Sequence, residues 1–494
     1  MSIKTAVKKV ASGVAYAIGM RSDFVEAPPF RPSINMGCLM DIPTGPFLKG
    51  VDGHWYCAGG LSHITGIGGR GNSYKSALLI YMLLKALDVF KGWIDGQSRD
   101  TEFSQTYQRF QGLAEHLSFL SQQELSTYPN FMITSQGESS GNEWFAELKT
   151  RFKNKQDAGK AATFTTPFIH PTSGQALKLL HPSIVGIDSL SMFTTDVSEG
   201  ILEKNEIGDA SANTVYMRAS GAKSQMVMQM PQLASRSNAQ IIMTAHMGDD
   251  IQIDPYAPPQ KKLAFLKNKL KFKNVPENFT FLTNNLWMVT SVTVEHTREH
   301  LVTYPRDAND KTEGDTDLQR LSVVNLRAKA GPSGFPFDLI ISQREGLLVP
   351  VTEFHFLKSH GRYGISGDNT RFSLDLYPDV ELMRTTIRGL AYSDPLLARA
   401  LTLTTELYQI KMMKPELADL VMSPKQLYKA AIDAGYDWSK ILATRGYWVF
   451  QEMEGAETLP YLSVVDLLVM VKGRESHPWQ AQFKADVAEI KKAA

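Results

Sequence analysis

The sequence predicts an α/β fold with a mostly parallel central sheet. Three observations carry that prediction. A glycine-rich run, Gly69-Arg70-Gly71-Asn72-Ser73-Tyr74-Lys75-Ser76, stands between a small apolar segment, Leu61 to Gly66, and a strongly apolar one, Ala77 to Phe90. That order reads strand, turn, helix. Short apolar strand candidates then alternate with helical stretches: Asn130–Thr134, Ile184–Ile187, Gln240–Ala245, Leu286–Val292, Leu321–Leu326 and Phe337–Ile341. Several are continuous apolar runs, as expected of strands covered on both faces.

Taken in order, the chain opens with Lys4, Lys8 and Lys9 ahead of a mildly apolar stretch, Val10 to Met20. Ser12, Gly13 and Tyr16 interrupt that stretch, so it reads as an amphipathic helix or arm and not as a secretion signal. Glu26 to Pro46 is proline-rich and reads as a linker. Ala77–Phe90 is apolar nearly all round but too short to span a bilayer, which predicts a helix buried in a core. Beyond about Val351 the pattern turns helical. Ser423-Pro424 opens one helix with an N-cap and a proline at its first position, and Gly435 ends it. Pro478 to Ala494 reads as an exposed helix. The expected division is 1–45 arm and linker, 46–350 core, and 351–494 a mainly helical C-terminal domain.

Bulk properties exclude several classes. A net charge of +1 gives no global attraction to nucleic acid or membrane, so any basic surface must be local. Two cysteines, Cys38 and Cys57, supply neither a disulfide framework nor a metal cluster.

Chemistry concentrates behind the glycine-rich turn. Such a turn points backbone N–H groups at an anion, and the helix dipole adds positive potential there. Lys75 would reach the outer phosphates and Ser76 would ligate Mg²⁺. Tyr74 stands where the generic pattern has glycine, which leaves a ligand-free turn as the alternative. Asp188 ends an apolar strand and would hold Mg²⁺ through water, or merely cap a helix. His246 ends another strand, placed to contact a γ-phosphate or to sit as an ordinary loop histidine. Glu138 follows the Phe131–Thr134 segment and would orient the attacking water, or lie solvated.

Together these residues resemble the RecA recombinases, and especially the phage UvsX branch, which carries an aromatic before the phosphate-loop lysine as Tyr74 does. The resemblance spans roughly Phe30 to Ile410. It is strongest at the phosphate loop, Glu138–Phe145, Ile184–Asp188 and Arg327–Lys329. It implies a RecA-like P-loop NTPase core that binds ATP and Mg²⁺. It implies Glu138 as general base, with Asn142 touching adenine and Phe145 stacking on it. His246 would couple ATP to DNA binding. Arg327 and Lys329 would reach the neighbouring subunit's ATP, and Glu206-Ile207-Gly208-Asp209 matches the first DNA-binding loop. The arm Ile3–Met20 would pack on the next subunit of a helical homo-oligomer, or fold back on its own core.

Six lysines and no acid lie between residues 261 and 273: Lys261, Lys262, Lys267, Lys269, Lys271 and Lys273, interleaved with Phe265 and Phe272. They fall where the family places its second DNA-binding loop, and a solvated basic loop is the alternative. If all six engaged single-stranded DNA, log K would fall with log salt at a slope of about 4. Arg218 and Lys223, on a helical stretch after an acidic first loop, are further candidate contacts. The expectation is an ATP-dependent recombinase that binds single-stranded and homologous duplex DNA, together with phage single-strand-binding and loader proteins. It would work in the cytoplasm of an infected host cell, without a membrane partner. A hexameric replicative helicase and a non-catalytic DNA-coating protein are the alternatives.

Overall fold

The computed structural model describes residues 31–171, 173–202, 213–250, 263–266, 270–455 and 458–485; the side chains of 201–202 and 213–219 lie outside that description. Also outside it are the arm Ile3–Met20, Glu206 to Asp209, Lys261, Lys262, Lys267 and Lys269, and the last nine residues.

A ten-stranded sheet organises the chain. Its strands are β1 (Ile64–Gly69), β2 (Asp95–Asp100), β3 (Phe131–Ser135), β4 (Ser183–Asp188), β5 (Ala239–Asp249), β6 (Leu270–Phe272), β7 (Asn285–Val294), β8 (Leu318–Ala328), β9 (Pro336–Ser342) and β10 (Gly346–Leu347). The order across the sheet is β10-β9-β8-β7-β1-β5-β4-β2-β3, with β6 pairing on β5. The run β7-β1-β5-β4-β2-β3 is parallel throughout. β8, β9 and β10 extend it antiparallel, and β6 also runs against β5.

Seven of these strands coincide with the apolar runs read from the sequence. β2 does not, although it lies between β4 and β3. Its residues, Asp95-Gly96-Gln97-Ser98-Arg99-Asp100, contain no apolar side chain, yet all but the first are buried. Tertiary partners replace the missing hydrophobicity. Arg99 donates to the Ser135 carbonyl at 2.7 Å and to the Ser139 hydroxyl at 3.0 Å, and it lies over the Trp144 ring. Arg151 donates to Gln97 at 2.5 Å and to Asp95 at 2.7 Å.

Helices cover both faces. α1 (Lys75–Phe90) runs behind the phosphate loop and is buried almost all round, as its composition predicts. It lies close to β4 because Gly186 has no Cβ; one there would meet Leu79 at 2.9 Å. α2 (Tyr107–Leu113) follows β2. α3 (Gly141–Ala158) and α4 (Asn213–Ser237) cover the opposite face, where Val185, Ile187, Ile241 and Met243 form a second core with Trp144, Phe152 and Met230. Ile184 and Ile242 alternate onto the α1 side.

The part beyond residue 350 shares the first core with α1. It contributes α5 (Val349–Ser359), α6 (Pro395–Met413), α7 (Pro424–Asp433) and α8 (Val464–Lys472), besides a small sheet of Ile365–Gly367, Arg371–Leu374 and Tyr377–Met383. α7 starts as the sequence predicts, with Ser423 capping it and Pro424 first. Two expectations are corrected. The described part of the proline-rich stretch is not a linker: Ile34, Met36, Leu39, Met40 and Ile42 are buried in the first core. Pro478–Phe483 is a single 3₁₀ turn with Phe483 buried, not an exposed helix. The hairpin Phe47–Lys49/Trp55–Cys57 joins these ends: His54 bonds Asp466 of α8 at 3.0 Å and stacks on Trp479 at 4.0 Å. Cys38 and Cys57 are buried free thiols. Among the described residues no helix is long and apolar enough to cross a membrane.

Candidate functional site

β1 ends at Gly69 and α1 begins at Lys75, so the intervening loop lies at the carboxyl edge of the parallel strands. Open α/β sheets bind ligands at this edge. Gly69 must be glycine: a Cβ there would meet the Ser73 hydroxyl at 2.4 Å. Asn72 and Tyr74 take left-handed backbone, with φ of +53° and +57°. Asparagine tolerates that region; a tyrosine costs about 1–2 kcal/mol there, which is why glycine is usual at such a position. Tyr74 is partly buried against the first core, and its carbonyl accepts the Leu78 amide that starts α1. In this loop the Lys75 ammonium donates to the Arg70 carbonyl at 2.6 Å. Burial lowers the Lys75 pKa, while Asp188 and Glu102 favour its charge.

Asp188 closes β4 directly beside this loop. One of its oxygens accepts from Thr244 at 2.6 Å, the other from Gln105 at 3.0 Å, and Ser76 bonds it as well. Burial raises its pKa above the ordinary carboxylate value, and these hydrogen bonds hold it down against that. A hydroxyl and a carboxylate already in contact form the hard oxygen pair that suits Mg²⁺. Ser76 and Asp188 therefore fit a magnesium site, as the sequence reading expects.

The carboxylate above them is Glu102, which the sequence reading missed. It follows β2 by two residues, and its Oε1 lies 2.7 Å from His246 Nε2 at the end of β5. The hydrogen bond from His246 is the main cause that pulls the Glu102 pKa down to about 2; Ser189 and Lys75 add to it, against desolvation. Thr101 fixes the approach: its amide donates to the Asp188 carbonyl at 2.8 Å, and its hydroxyl bonds both the amide and carbonyl of Ser189. The available signal was the acid at the end of Asp100-Thr101-Glu102, between the loop helix and the next strand. The polar character of β2 concealed it.

Glu138 is placed elsewhere. It follows β3, the edge strand, four strand spacings from β1, or about 19 Å. It is exposed and accepts the Ser135 amide at 2.9 Å. The expected role of Glu138 as base is thus corrected in favour of Glu102. The adenine contacts are corrected with it. Asn142 is exposed on the first turn of α3, beyond that same edge strand. Phe145 is 8% exposed, packed in the second core under the Lys149 ammonium, and has no open face for a base.

Arg327 and Lys329 lie at the opposite, amino rim. Arg327 is level with Leu286 of β7, itself level with Gly66 of β1, and its guanidinium points to the Thr280 carbonyl at 3.5 Å. Lys329 is exposed, with its ammonium 3.3 Å from the Leu282 carbonyl. Neither is positioned to touch the phosphate loop of its own chain.

Of the candidate DNA contacts, Lys223 is corrected. It is 7% exposed, and its ammonium donates to the carbonyls of Leu190, Ser191 and Asn274 at 3.2, 3.1 and 3.2 Å. The group is an internal clamp, with its pKa lowered to about 8 by burial. The side chain of Arg218 lies outside the described residues. Lys271 and Lys273 are at β6 and just after it; Lys271 pairs with Asp250 at 3.2 Å. Phe272 is held by the Phe279 ring at 5.5 Å, whereas Phe265 is about half exposed.

No family model and no curated protein matches the chain. Among solved structures it is similar to the crystal structure of the RadB recombinase, at 14% identity over 58% of this chain and 92% of that one, with a TM-score of 0.31. It is also similar to the ATPase domain of a replicative helicase, at 13% identity over 69% of this chain and 96% of that one, with a TM-score of 0.34.

Proposed function

We propose that residues 46–350 form the core of a RecA-class, DNA-dependent ATPase, and that the chain is a phage-type recombinase. It would polymerise on single-stranded DNA and pair it with homologous duplex. One observation carries the ATPase reading: Lys75, Ser76, Asp188, Glu102 and His246, from four separate parts of the sequence, converge at one carboxyl edge. Lys75 leaves the Arg70 carbonyl to meet phosphate oxygens. Ser76 and Asp188 hold Mg²⁺, which when bound neutralises charge on the β- and γ-oxygens. Glu102 takes the proton of the attacking water, and His246 fixes its orientation. Because His246 and the lysine-bearing β6 strand share β5, nucleotide state and grip on DNA have a common support. The opposite-rim position of Arg327 and Lys329 suits contact with the ATP of a neighbouring subunit, in trans. Lys271, Lys273 and the lysines at 261, 262, 267 and 269 supply the sequence-independent attraction to DNA phosphates.

The test is steady-state ATP hydrolysis with and without single-stranded DNA, alongside electron microscopy with ATP and DNA. DNA-stimulated turnover that Lys75→Ala abolishes, with open helical filaments, is expected. Closed rings would instead favour a replicative helicase. Binding without turnover would favour a DNA-coating protein.

A further inference from the structure

The phosphate loop carries a second cation besides its lysine. Arg70 grips Asp249 on both carboxylate oxygens, with Nη2–Oδ1 at 2.5 Å and Nη1–Oδ2 at 3.3 Å, and both side chains are exposed. Asp249 is the last residue of β5, three beyond His246. Its backbone carbonyl accepts the Lys273 ammonium at 2.9 Å, and Asp250 beside it pairs with Lys271 at 3.2 Å. Two adjacent acidic residues thus hold one cation from the phosphate loop and two from the lysine-bearing strand. The Arg70 carbonyl meanwhile accepts Lys75 at 2.6 Å. A phosphate that draws Lys75 away therefore acts on the residue whose side chain holds Asp249.

We propose that Asp249 is an internal stand-in for phosphate, and that its pair with Arg70 is a latch opened by nucleotide. The proposal rests on the nucleotide-binding reading of the loop. A guanidinium binds phosphate in the same forked geometry as a carboxylate, and a triphosphate offers more negative charge than one aspartate. When Arg70 turns to phosphate, the strand pair β5/β6 loses its tie to the loop. By reciprocity, whatever weakens the latch tightens nucleotide binding. An exposed pair of this geometry couples by about fivefold in affinity.

The experiment is a double-mutant cycle on the full chain: wild type, Arg70→Gln, Asp249→Asn and the double variant. Each is titrated with a fluorescent non-hydrolysable ATP analogue, then with a labelled oligothymidylate in its absence and presence. Asp249→Asn is expected to tighten analogue binding about three- to fivefold in the wild-type background and to leave it unchanged beside Arg70→Gln. Nucleotide-free DNA binding should also tighten in Asp249→Asn, so that the step produced by the analogue shrinks. Equal shifts in both backgrounds would overturn the latch, because loss of a nearby charge then explains the effect without pairing. If wild type binds no analogue, the nucleotide reading itself fails and the latch falls with it.

Discussion

Glu102 and His246 meet over the end of β4 at 2.7 Å, although their strands are not neighbours in the sheet. β4, which carries Asp188, lies between them. The pair therefore roofs the buried carboxylate, joining the proposed base to the strand that leads to the lysine-rich segment.

This arrangement predicts a division between two glutamates. Glu102→Gln should lower kcat by about 10²- to 10⁴-fold with nucleotide affinity largely retained, the range for loss of a general base. Glu138→Gln should remain within about twofold of wild type, since its carboxylate only caps the Ser135 amide. Steady-state hydrolysis rates of the two variants decide it; the reverse ranking returns the role to Glu138.

Asp188 is expected to trade stability for chemistry. Its folded-state pKa is raised above 3.8 by burial, so the folded protein disfavours its ionised form. That penalty is present above the raised pKa and is relieved as pH falls through it toward 3.8, where the unfolded chain also protonates. Asp188→Asn should thus be about 1 kcal/mol more stable than wild type at pH 7, while losing Mg²⁺-dependent turnover. Urea melts from pH 7 downward should show the advantage narrowing. An advantage that grows on acidification would contradict the assigned direction.

Arg327 and Lys329 lie at the rim opposite their own loop, which predicts complementation between inactive chains. Lys75→Ala and Arg327→Ala should each be inactive alone. Mixed in equal amounts before assembly, they should recover about one quarter of wild-type turnover, the share of interfaces with both groups intact in a head-to-tail polymer. No recovery would argue against action in trans.

The lysines should separate by role. Lys223→Met removes the donor for three buried carbonyls and is expected to destabilise the fold by about 2 kcal/mol in urea. It should leave the salt dependence of DNA binding unchanged. Lys271→Ala with Lys273→Ala should do the opposite, lowering the log–log salt slope by about 1.4 with little loss of stability. Titrations of a labelled oligonucleotide across a salt series, paired with urea melts, measure both.

Motif chemistry and hydrophobic runs by themselves determined the phosphate loop, the helix behind it, Asp188 and seven strands. A loop of that composition and a strand flanked by helices are local patterns, and local patterns are written in consecutive residues. β2 and Glu102 were decided only by tertiary structure. Asp95–Asp100 has no apolar period, and it becomes a central strand because Arg151, Ser135 and Ser183 satisfy its polar groups. Charge alone likewise gave no way to tell Lys223 from Lys273. Whether an ammonium faces solvent or three carbonyls depends on which helix packs over which turn, and that is fixed by contacts between residues distant in the chain.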